Sequence, residues 1–545
     1  MSEPAPPPAK MPRQIPYIIG SEGCERFSFY GMRNILTPFL ISMLLLEKGE
    51  AKDVFHSFVI GVYFFPLLGG WISDRLFGKY RTILWFSLIY CIGLGCLALM
   101  PDSRNGFYTG LFLVALGAGG IKPLVASFIG DQFDERTKHL AKVVFDAFYW
   151  IINFGSFFGS LLMPVFLAGW GPRVAFGIPA VLMLVATIVL WAGRNIYVMV
   201  PVAPANPSSF LRVVKTALLA KDPHKGNLGY WLAVFGGVCA VATFALLPVL
   251  ELVPVICLAF VVFLAFGGIG TWIQLERARG VHSDEAVDGV RAVLRVLIVF
   301  ALVTPFFSLF DQKATTWVLQ GGDMHVPMRT FDLGFLGVWE TNFQPAQMQA
   351  FNPLLVMLLI PFNNLVLYPW LRKRGWEPTS LRRMTVGILF SAFAWIAAGI
   401  LQLAIDGGTA KSITILWQLV PYALLTFGEV LVSATGLEFA YSQAPLAMKG
   451  VIMSFWNLAN TVGNLWVLLV NAGIRNATVT DTIAASGLSV TAFLMFFFAA
   501  FAGLATLVFW LYVRRYRYVE HYRSSGGDAG GKQGPLPTAT ARDKT

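Results

Sequence analysis

The sequence predicts an all-α polytopic membrane protein with fourteen membrane-spanning helices. Hydrophobic residues make up 56% of the 545 residues and charged residues only 13%, whereas a soluble domain carries about 25% charged residues. Apolar runs long enough to cross a bilayer recur along nearly the whole chain, separated by charged residues or by glycine and proline clusters. These runs leave no space for a large soluble domain, so we expect a chain that folds within the lipid bilayer.

The apolar runs group into six, two and six. We expect the spans near 15–46, 53–74, 82–101, 106–130, 141–168, 174–197, 228–250, 253–275, 292–320, 347–371, 381–405, 412–438, 450–473 and 488–514. The grouping predicts two six-helix bundles that meet at a central cavity. The inserted pair is almost free of charge, so we expect it to form a peripheral hairpin with a packing role.

Polar segments flank and separate the bundles. The expected order is a cytoplasmic N-terminal tail (1–14), an N-terminal bundle (15–197), a cytoplasmic linker (198–227), the inserted pair (228–275), a second linker (276–291), a C-terminal bundle (292–514) and a disordered cytoplasmic tail (515–545). Lysine and arginine are about four times as frequent in the loops on the side of the termini, which predicts that both termini are cytoplasmic. The same asymmetry explains the net charge of +11, and no nucleic-acid partner is expected.

A polar stripe interrupts the first span. Glu22, Glu25, Arg26, Tyr30 and Arg33 are spaced so that all five lie on one face of an α-helix. Each charge facing lipid would cost about 2.5 to 3.5 kcal/mol. An internal ion pair could account for Glu25 and Arg26, but not for a stripe three turns long. The stripe therefore predicts a wet pathway between the helices.

The sequence predicts no enzyme, metal site or organic cofactor. Its five cysteines fall inside apolar spans without paired metal-ligand spacing, and its six histidines fall at expected span ends or in loops. No H-E-x-x-H, G-x-S-x-G or G-x-x-x-x-G-K-[ST] pattern occurs. A transport function remains the best account of the titratable stripe.

Short motifs connect the chain to a known superfamily and then to one family within it. The loop Gly70–Arg81, GWISDRLFGKYR, resembles the G-x-x-x-D-R-x-x-G-x-x-R signature of the major facilitator superfamily. EGCERFSFY from Glu22, FYWIINFGS from Phe148 and GEVLVSATGLEFAYSQAP from Gly428 resemble the first-, fifth- and tenth-helix motifs of proton-dependent oligopeptide transporters. GGIKP at 119–123 and Gln349, Asn352 and Pro353 are also similar. The chain is identified as a member of that family, of prokaryotic type because of the inserted pair.

The residues themselves suit a zwitterionic peptide. Arg33 and Lys122 are intramembrane cations that could bind its carboxylate, and Glu429 is an intramembrane carboxylate suited to its ammonium group. Asn153 and Asn352 offer both donors and acceptors, although Asn153 could instead join two helices. The resemblance implies the same placement, with the carboxylate towards the N-terminal half.

Aromatic residues and one serine complete the expected pocket. The candidates are Tyr30, Tyr63, Tyr149, Trp317, Trp456 and Ser433. Aromatic walls would tolerate varied side chains, although membrane aromatics also serve as interface belts or packing. The family often has Tyr-Tyr where this chain has Phe29-Tyr30, so no substrate hydrogen bond is expected at position 29.

Proton coupling is expected at two places. The family carries an acidic residue on the seventh helix that pairs with the first-helix arginine, which implies a gate ion pair between Asp311 and Arg33. Protonation of Asp311 would free Arg33 for the peptide carboxylate. Glu22, Glu25, Arg26 and Lys122 would form a second switch nearer the cytoplasm. Lys313 is expected on a different helix face from Asp311, where it snorkels or pairs locally.

The resemblance implies a proton-coupled symporter that imports di- and tripeptides by alternating access. Its partners would be the peptide, protons and the lipid bilayer, and we expect it to function as a monomer in the bacterial inner membrane. The alternative is the same scaffold carrying nitrate or peptide-like drugs. Relatives that carry nitrate commonly lack the E-x-x-E-R stripe, which is intact here, so peptides are favoured.

Overall fold

The computed structural model describes residues 11–134, 137–202, 207–220, 226–326, 328–332, 338–409, 412–443 and 448–516. Within these ranges nearly every element is helical. The predicted N-terminal tail before residue 11 and most of the predicted C-terminal tail lie outside the described residues, as does the Ala444–Pro445 end of the tenth-helix motif.

Six spans form the first bundle. They are α1 (Ile15–Ser42), α2 (Lys48–Phe64, continued to Phe77 by a short helix and a π turn), α3 (Lys79–Leu99), α4 (Arg104–Gly130), and α5 and α6, which share the run Lys138–Ala192. That run breaks at Gly171, whose φ of 77° suits glycine, and Pro172 follows it. The predicted boundary between the fifth and sixth spans, 168–174, contains this break.

The middle of the chain holds one short helix and the inserted pair. They are α7 (Phe210–Leu219), α8 (Leu228–Ala242, extended by a 3-10 turn to Leu246) and α9 (Leu252–Gln274). The predicted linker 198–227 thus contains a helix. Val213 and Ala217 of α7 are fully buried in the core of the second bundle, so this helix is packed against that bundle.

The second bundle contains the last six spans and one short helix. They are α10 (Asp284–Gln312, continued to Gly322), α11 (Phe351–Phe362, with a 3-10 turn from Pro345 and continued to Lys373), α12 (Ser380–Ala404), α13 (Leu419–Glu429, continued to Gln443), α14 (Lys449–Ile474), the short α15 (Ala477–Ala485) and α16 (Val490–Val513). α10 begins eight residues before its predicted start, because Ser283 caps it and two acidic residues follow in its first turn.

The described residues confirm a helical membrane protein and add one feature that was not predicted. Eleven helices are long and apolar enough to cross a membrane; counting the α5–α6 run as two and adding the polar-striped α1 and α14 gives fourteen. Between α10 and α11, β1 (Met328–Asp332) pairs antiparallel with β2 (Val338–Asn342), with Met328 opposite Asn342. The expectation of an all-α membrane fold is confirmed, with this one short hairpin outside the membrane-spanning helices.

Two large apolar cores hold the bundles, one for each half of the chain. Phe39, Phe107 and Phe176 pack together in the first, and Trp317 and Trp395 pack in the second. We call the end where α1 begins and α16 finishes the terminal end, and the end where α1 joins α2 the far end. The halves contact one another towards the far end: Thr37 donates to the carbonyl of Ala314 at 3.0 Å, and Gln347 donates to that of Leu161 at 2.8 Å.

Candidate functional site

A cavity of about 210 Å³ lies between the two bundles. Nine predicted site residues line it: Tyr30, Arg33, Tyr63, Asn153, Asp311, Asn352, Glu429, Ser433 and Trp456. Polar residues that were not predicted line it as well: Asn34, Ser156, Ser160, Lys313, Gln349, Asn457 and Asn460. The wall therefore carries cationic, anionic and amide groups around a small space, as a zwitterionic ligand requires.

The cavity contains a buried ion pair that links the bundles. Arg33 Nη2 on α1 lies 2.6 Å from Asp311 Oδ1 on α10, and both side chains are almost fully buried. The second Asp311 oxygen accepts a hydrogen bond from Asn464 Nδ2 at 2.8 Å. The Arg33 guanidinium also lies over the Phe55 ring at 5.1 Å. The structure thus brings together the two residues expected to form a gate.

A histidine extends this network onto α2. His56 Nδ1 lies 2.7 Å from Asn464 Oδ1, and His56 Nε2 lies 3.4 Å from Thr315 Oγ1. The side chain is fully buried. The expectation that every histidine lies at a span end or in a loop is wrong here, because α2 begins at Lys48, earlier than predicted, and His56 lies two turns inside it.

A second polar cluster lies in the C-terminal half of the cavity wall. Asn352 Nδ2 donates to Glu429 and to Thr426 Oγ1, the latter at 3.0 Å. Lys313 Nζ donates to Asn352 Oδ1 at 2.8 Å and lies 3.4 Å from the centre of the Phe310 ring. One amide therefore joins the buried lysine to the carboxylate expected to bind an ammonium group.

The expected orientation of Lys313 is wrong. Residues two apart on a regular α-helix point about 200° apart, yet Lys313 and Asp311 both line the cavity. The helix changes to a π turn at Lys313–Trp317, and the four-carbon lysine stem adds reach. The sequence signal was present, since a lysine in mid-span is costly unless it faces a polar interior.

The polar stripe of α1 serves two separate spaces. Tyr30 and Arg33 line the central cavity, whereas Glu22 and Glu25 line a small cavity of about 10 Å³ inside the first bundle. Arg26 Nε lies 3.0 Å from Glu22 Oε1 and also contacts Glu25. All three charged side chains are buried, so the lower part of the stripe is a compact ion cluster.

Lys122 borders the central cavity from behind two aromatic rings. Its Nζ lies 3.9 Å from the centre of the Tyr63 ring and 4.5 Å from that of Phe29, and both rings line the cavity. In the described part of the chain no carboxylate oxygen lies within 4.0 Å of this ammonium group. Of the four residues expected to form a second switch, Glu22, Glu25 and Arg26 are in direct contact, and Lys122 is held by cation–π contacts.

Two predicted aromatic residues do not line the cavity. Trp317 is fully buried, with its ring centre 5.0 Å from that of Tyr422 and 5.7 Å from that of Trp395. Its assignment to the substrate pocket is wrong, because it faces the core of the second bundle. Tyr149 is 43% exposed and is not itself part of the lining, but its side chain interacts with Asn153 and Glu429, which are, and its carbonyl accepts a hydrogen bond from Asn153 Nδ2 at 3.0 Å. The Asn153 amide thus bonds within its own helix and not between helices.

No group of three metal-ligating side chains is present among the residues that the structure describes. The lining of the central cavity offers hydrogen-bonding groups and charges of both signs. This site can bind a ligand of mixed charge and exchange protons with its carboxyl groups.

Comparison with known proteins gives matches over most of the chain. Residues 80–488 match the family model PTR2, described as the POT family. The chain is 31% identical over 420 residues to Solute carrier family 15 member 1 of Oryctolagus cuniculus, covering 72% of this chain and 52% of that protein. It is 33% identical over 410 residues to Peptide transporter 3 of Caenorhabditis elegans, covering 72% and 51%. The chain thus spans about half the length of the curated relatives it matches.

Solved structures match more fully. One, an auto-inhibited POT family peptide transporter, is 64% identical with a TM-score of 0.89 over 94% of this chain and 99% of that chain. Another, the POT family transporter PepTSo, is 61% identical with a TM-score of 0.88 over 93% and 98%. These matches agree with the helical architecture described above.

Proposed function

This chain belongs to the POT family, and from that premise we propose that it is a proton-coupled symporter of di- and tripeptides. The matched structures give it the major facilitator fold, with two six-helix bundles and an inserted pair. The observation that carries the proposal is the central cavity, where Arg33 and Glu429 offer opposite charges on opposite bundles.

The ends of a peptide would compete with partners already present in the cavity. The peptide carboxylate would take Arg33 from Asp311, since a guanidinium binds a carboxylate bidentately. The peptide ammonium would bind Glu429, where the Asn352 amide and, through it, Lys313 are now held. Tyr30, Tyr63 and Trp456 would surround the side chains without strong selection.

Asp311 is the proposed site where a proton enters the cycle. While it is charged, its bond to Arg33 holds α1 and α10 together and keeps Arg33 from the substrate. A proton on Asp311 removes the attraction and releases both. The Glu22, Glu25 and Arg26 cluster, with Lys122 nearby, would be the second coupling site, reached after the central cavity.

The free energy that one proton gains on entry is comparable to the free energy needed to break the buried ion pair. A proton moving inward through 100 mV gains about 2.3 kcal/mol, and one unit of pH difference adds about 1.4 kcal/mol. The sum of about 3.7 kcal/mol permits several-hundred-fold peptide accumulation per proton. Breaking a buried ion pair by neutralising one partner costs about 3 to 5 kcal/mol, so one proton and one peptide carboxylate can together open the pair.

The chain is a multi-pass membrane protein. We place it in the bacterial inner membrane with the terminal end in the cytoplasm, on the strength of its basic loops. It would work as a monomer with the proton as coupling ion and no cofactor. Since the bundles contact one another at the far end, the structure would then correspond to a state closed to the outside.

Uptake of labelled dialanine into liposomes tests this proposal. The vesicles would be acidic outside and negative inside, with and without a protonophore. The proposal predicts accumulation above the external concentration that the protonophore abolishes. Equilibration without accumulation would refute proton coupling, and proton-driven uptake of nitrate in place of dialanine would favour the alternative cargo.

A further inference from the structure

A further charged connection between the bundles lies at the far end, outside the central cavity. Asp53 on α2 forms an ion pair with Arg475, the residue that caps α14. The other Asp53 oxygen accepts a hydrogen bond from Asn471 Nδ2 at 3.0 Å, one turn earlier on α14. The Asp53 side chain is 14% exposed and that of Arg475 is 53% exposed. The carboxylate is thus held by two groups of the opposite bundle.

These contacts are the outermost rung of a polar ladder between α2 and α14. Further in, His56 contacts Asn464, and Thr461 Oγ1 donates to the carbonyl of Ile60 at 3.5 Å. Positions 53, 56 and 60 lie on one face of α2. Three rungs of this kind keep the two helices in register along the half of the molecule that is closed.

The inserted helix pair covers this outer rung. A cavity of about 260 Å³ beside it is lined by Asp53, Arg475 and the turn 247–251 that joins α8 to α9. Leu250 of that turn packs with Ile60 of α2 and with Leu465 and Leu468 of α14. The hairpin therefore contacts both halves at the place where they meet.

We propose that Asp53, Arg475 and Asn471 form an outer latch that holds the far end closed. None of the three lines the central cavity, so neither the peptide nor the proton on Asp311 contacts it. The latch therefore adds a constant bias towards the closed state, which the Arg33–Asp311 pair then modulates. The proposal rests on the proposed function only in requiring that the two bundles separate at this end.

Distance measurements across the far end test the latch. Spin labels would be attached at Gly49, where a side chain meets nothing within 4 Å, and at Val479, which is 40% exposed. The five native cysteines, which form no disulfide, would be replaced by serine. Double electron–electron resonance on the protein in liposomes without peptide then gives the ratio of open to closed populations.

Asp53→Asn and Arg475→Gln should each raise the open-to-closed ratio about two- to fivefold, the range expected for a partly exposed ion pair. The double variant should do no more than the stronger single variant, because both remove the same interaction. The charge swap D53R/R475D should recover part of the closed population.

Asp102→Asn is the matched control. It removes the same charge at the same end, but the partner of Asp102, Arg173 at 3.5 Å, belongs to the same bundle, so the ratio should not change. The latch is overturned if D53N behaves as D102N does, or if the two single effects add. Arg475→Gln changes a half-exposed side chain and keeps the test valid if D53N folds poorly. The distance measurement does not depend on transport, so it can be interpreted even if the peptide uptake assay fails. The uptake assay can likewise be interpreted even if the latch is overturned.

Discussion

Replacing Asp311 by asparagine should uncouple transport from the proton. The substitution keeps the size of the side chain and one carbonyl oxygen, but removes the charge that lies 2.6 Å from the Arg33 guanidinium. Since Arg33 and Asp311 are 6% and 1% exposed, solvent screens the pair weakly. Loss of one charge of such a pair costs about 3 to 5 kcal/mol in the closed state.

This magnitude is close to the driving force on one proton, about 3.7 kcal/mol under a 100 mV potential and one pH unit. In the D311N variant the side chain at position 311 is always neutral, as it is in the wild-type protein only after protonation. The proton gradient can therefore no longer drive transport by protonating this residue. We expect the several-hundred-fold accumulation of dialanine to fall to equilibration. Exchange of labelled for unlabelled peptide across the membrane, which needs no proton, should stay within a few fold of the wild-type rate.

Liposome uptake with counterflow in parallel distinguishes uncoupling from damage. Asp323→Asn is a suitable control, because the Lys48–Asp323 pair is 3.7 Å long and at least half exposed, so its loss should cost less than about 1 kcal/mol. Proton-driven accumulation by the D311N variant would refute the reasoning. Loss of counterflow together with uptake, by D311N protein whose thermal melt matches that of the wild type, would contradict a purely coupling role.

Three further substitutions test the rest of the site. Glu429→Gln should raise the KM for dialanine at least tenfold, because the free ammonium group of the peptide binds this carboxylate. Inhibition by N-acetylated dialanine, which has no ammonium group, should change little. An equal loss of affinity for both ligands would contradict this role. Lys313→Met should raise the KM for dialanine about two- to fivefold, because Lys313 donates the hydrogen bond that orients the Asn352 amide. An unchanged KM would show that Lys313 has no orienting role. Trp317→Ala should lower the free energy of unfolding by about 3 to 5 kcal/mol, which thermal melts would show. The KM of the folded protein for dialanine should not change in uptake kinetics. A rise in KM without loss of stability would indicate that Trp317 lines the substrate pocket.

The helices were predicted well from the sequence because a helix that crosses the bilayer must be apolar over about 20 residues, and such runs can be recognised by hydropathy alone. A charge within lipid is costly enough that residues such as Arg33, Asp311 and Glu429 could be assigned to an interior surface without coordinates. The motif resemblance then paired Arg33 with Asp311, and the structure has that contact.

Contacts that depend on how helices face one another were beyond the sequence. Trp317 and Trp456 both read as membrane aromatics, yet the first lies in a core and the second lines the cavity. A π turn changes the direction of Lys313, and no composition rule predicts where a helix widens. Uncharged amides such as Asn464 were overlooked because an asparagine within a span forms hydrogen bonds between helices as often as it binds a ligand.

Coupling itself is tested most directly by following protons while peptide moves. Purified protein would be placed in liposomes with a pH-sensitive dye inside, equal pH on both sides and a negative interior. Addition of external dialanine should acidify the interior, in proportion to peptide uptake, and the D311N variant should take up label by exchange without acidification. Peptide uptake by the wild-type protein with no movement of protons would contradict the account.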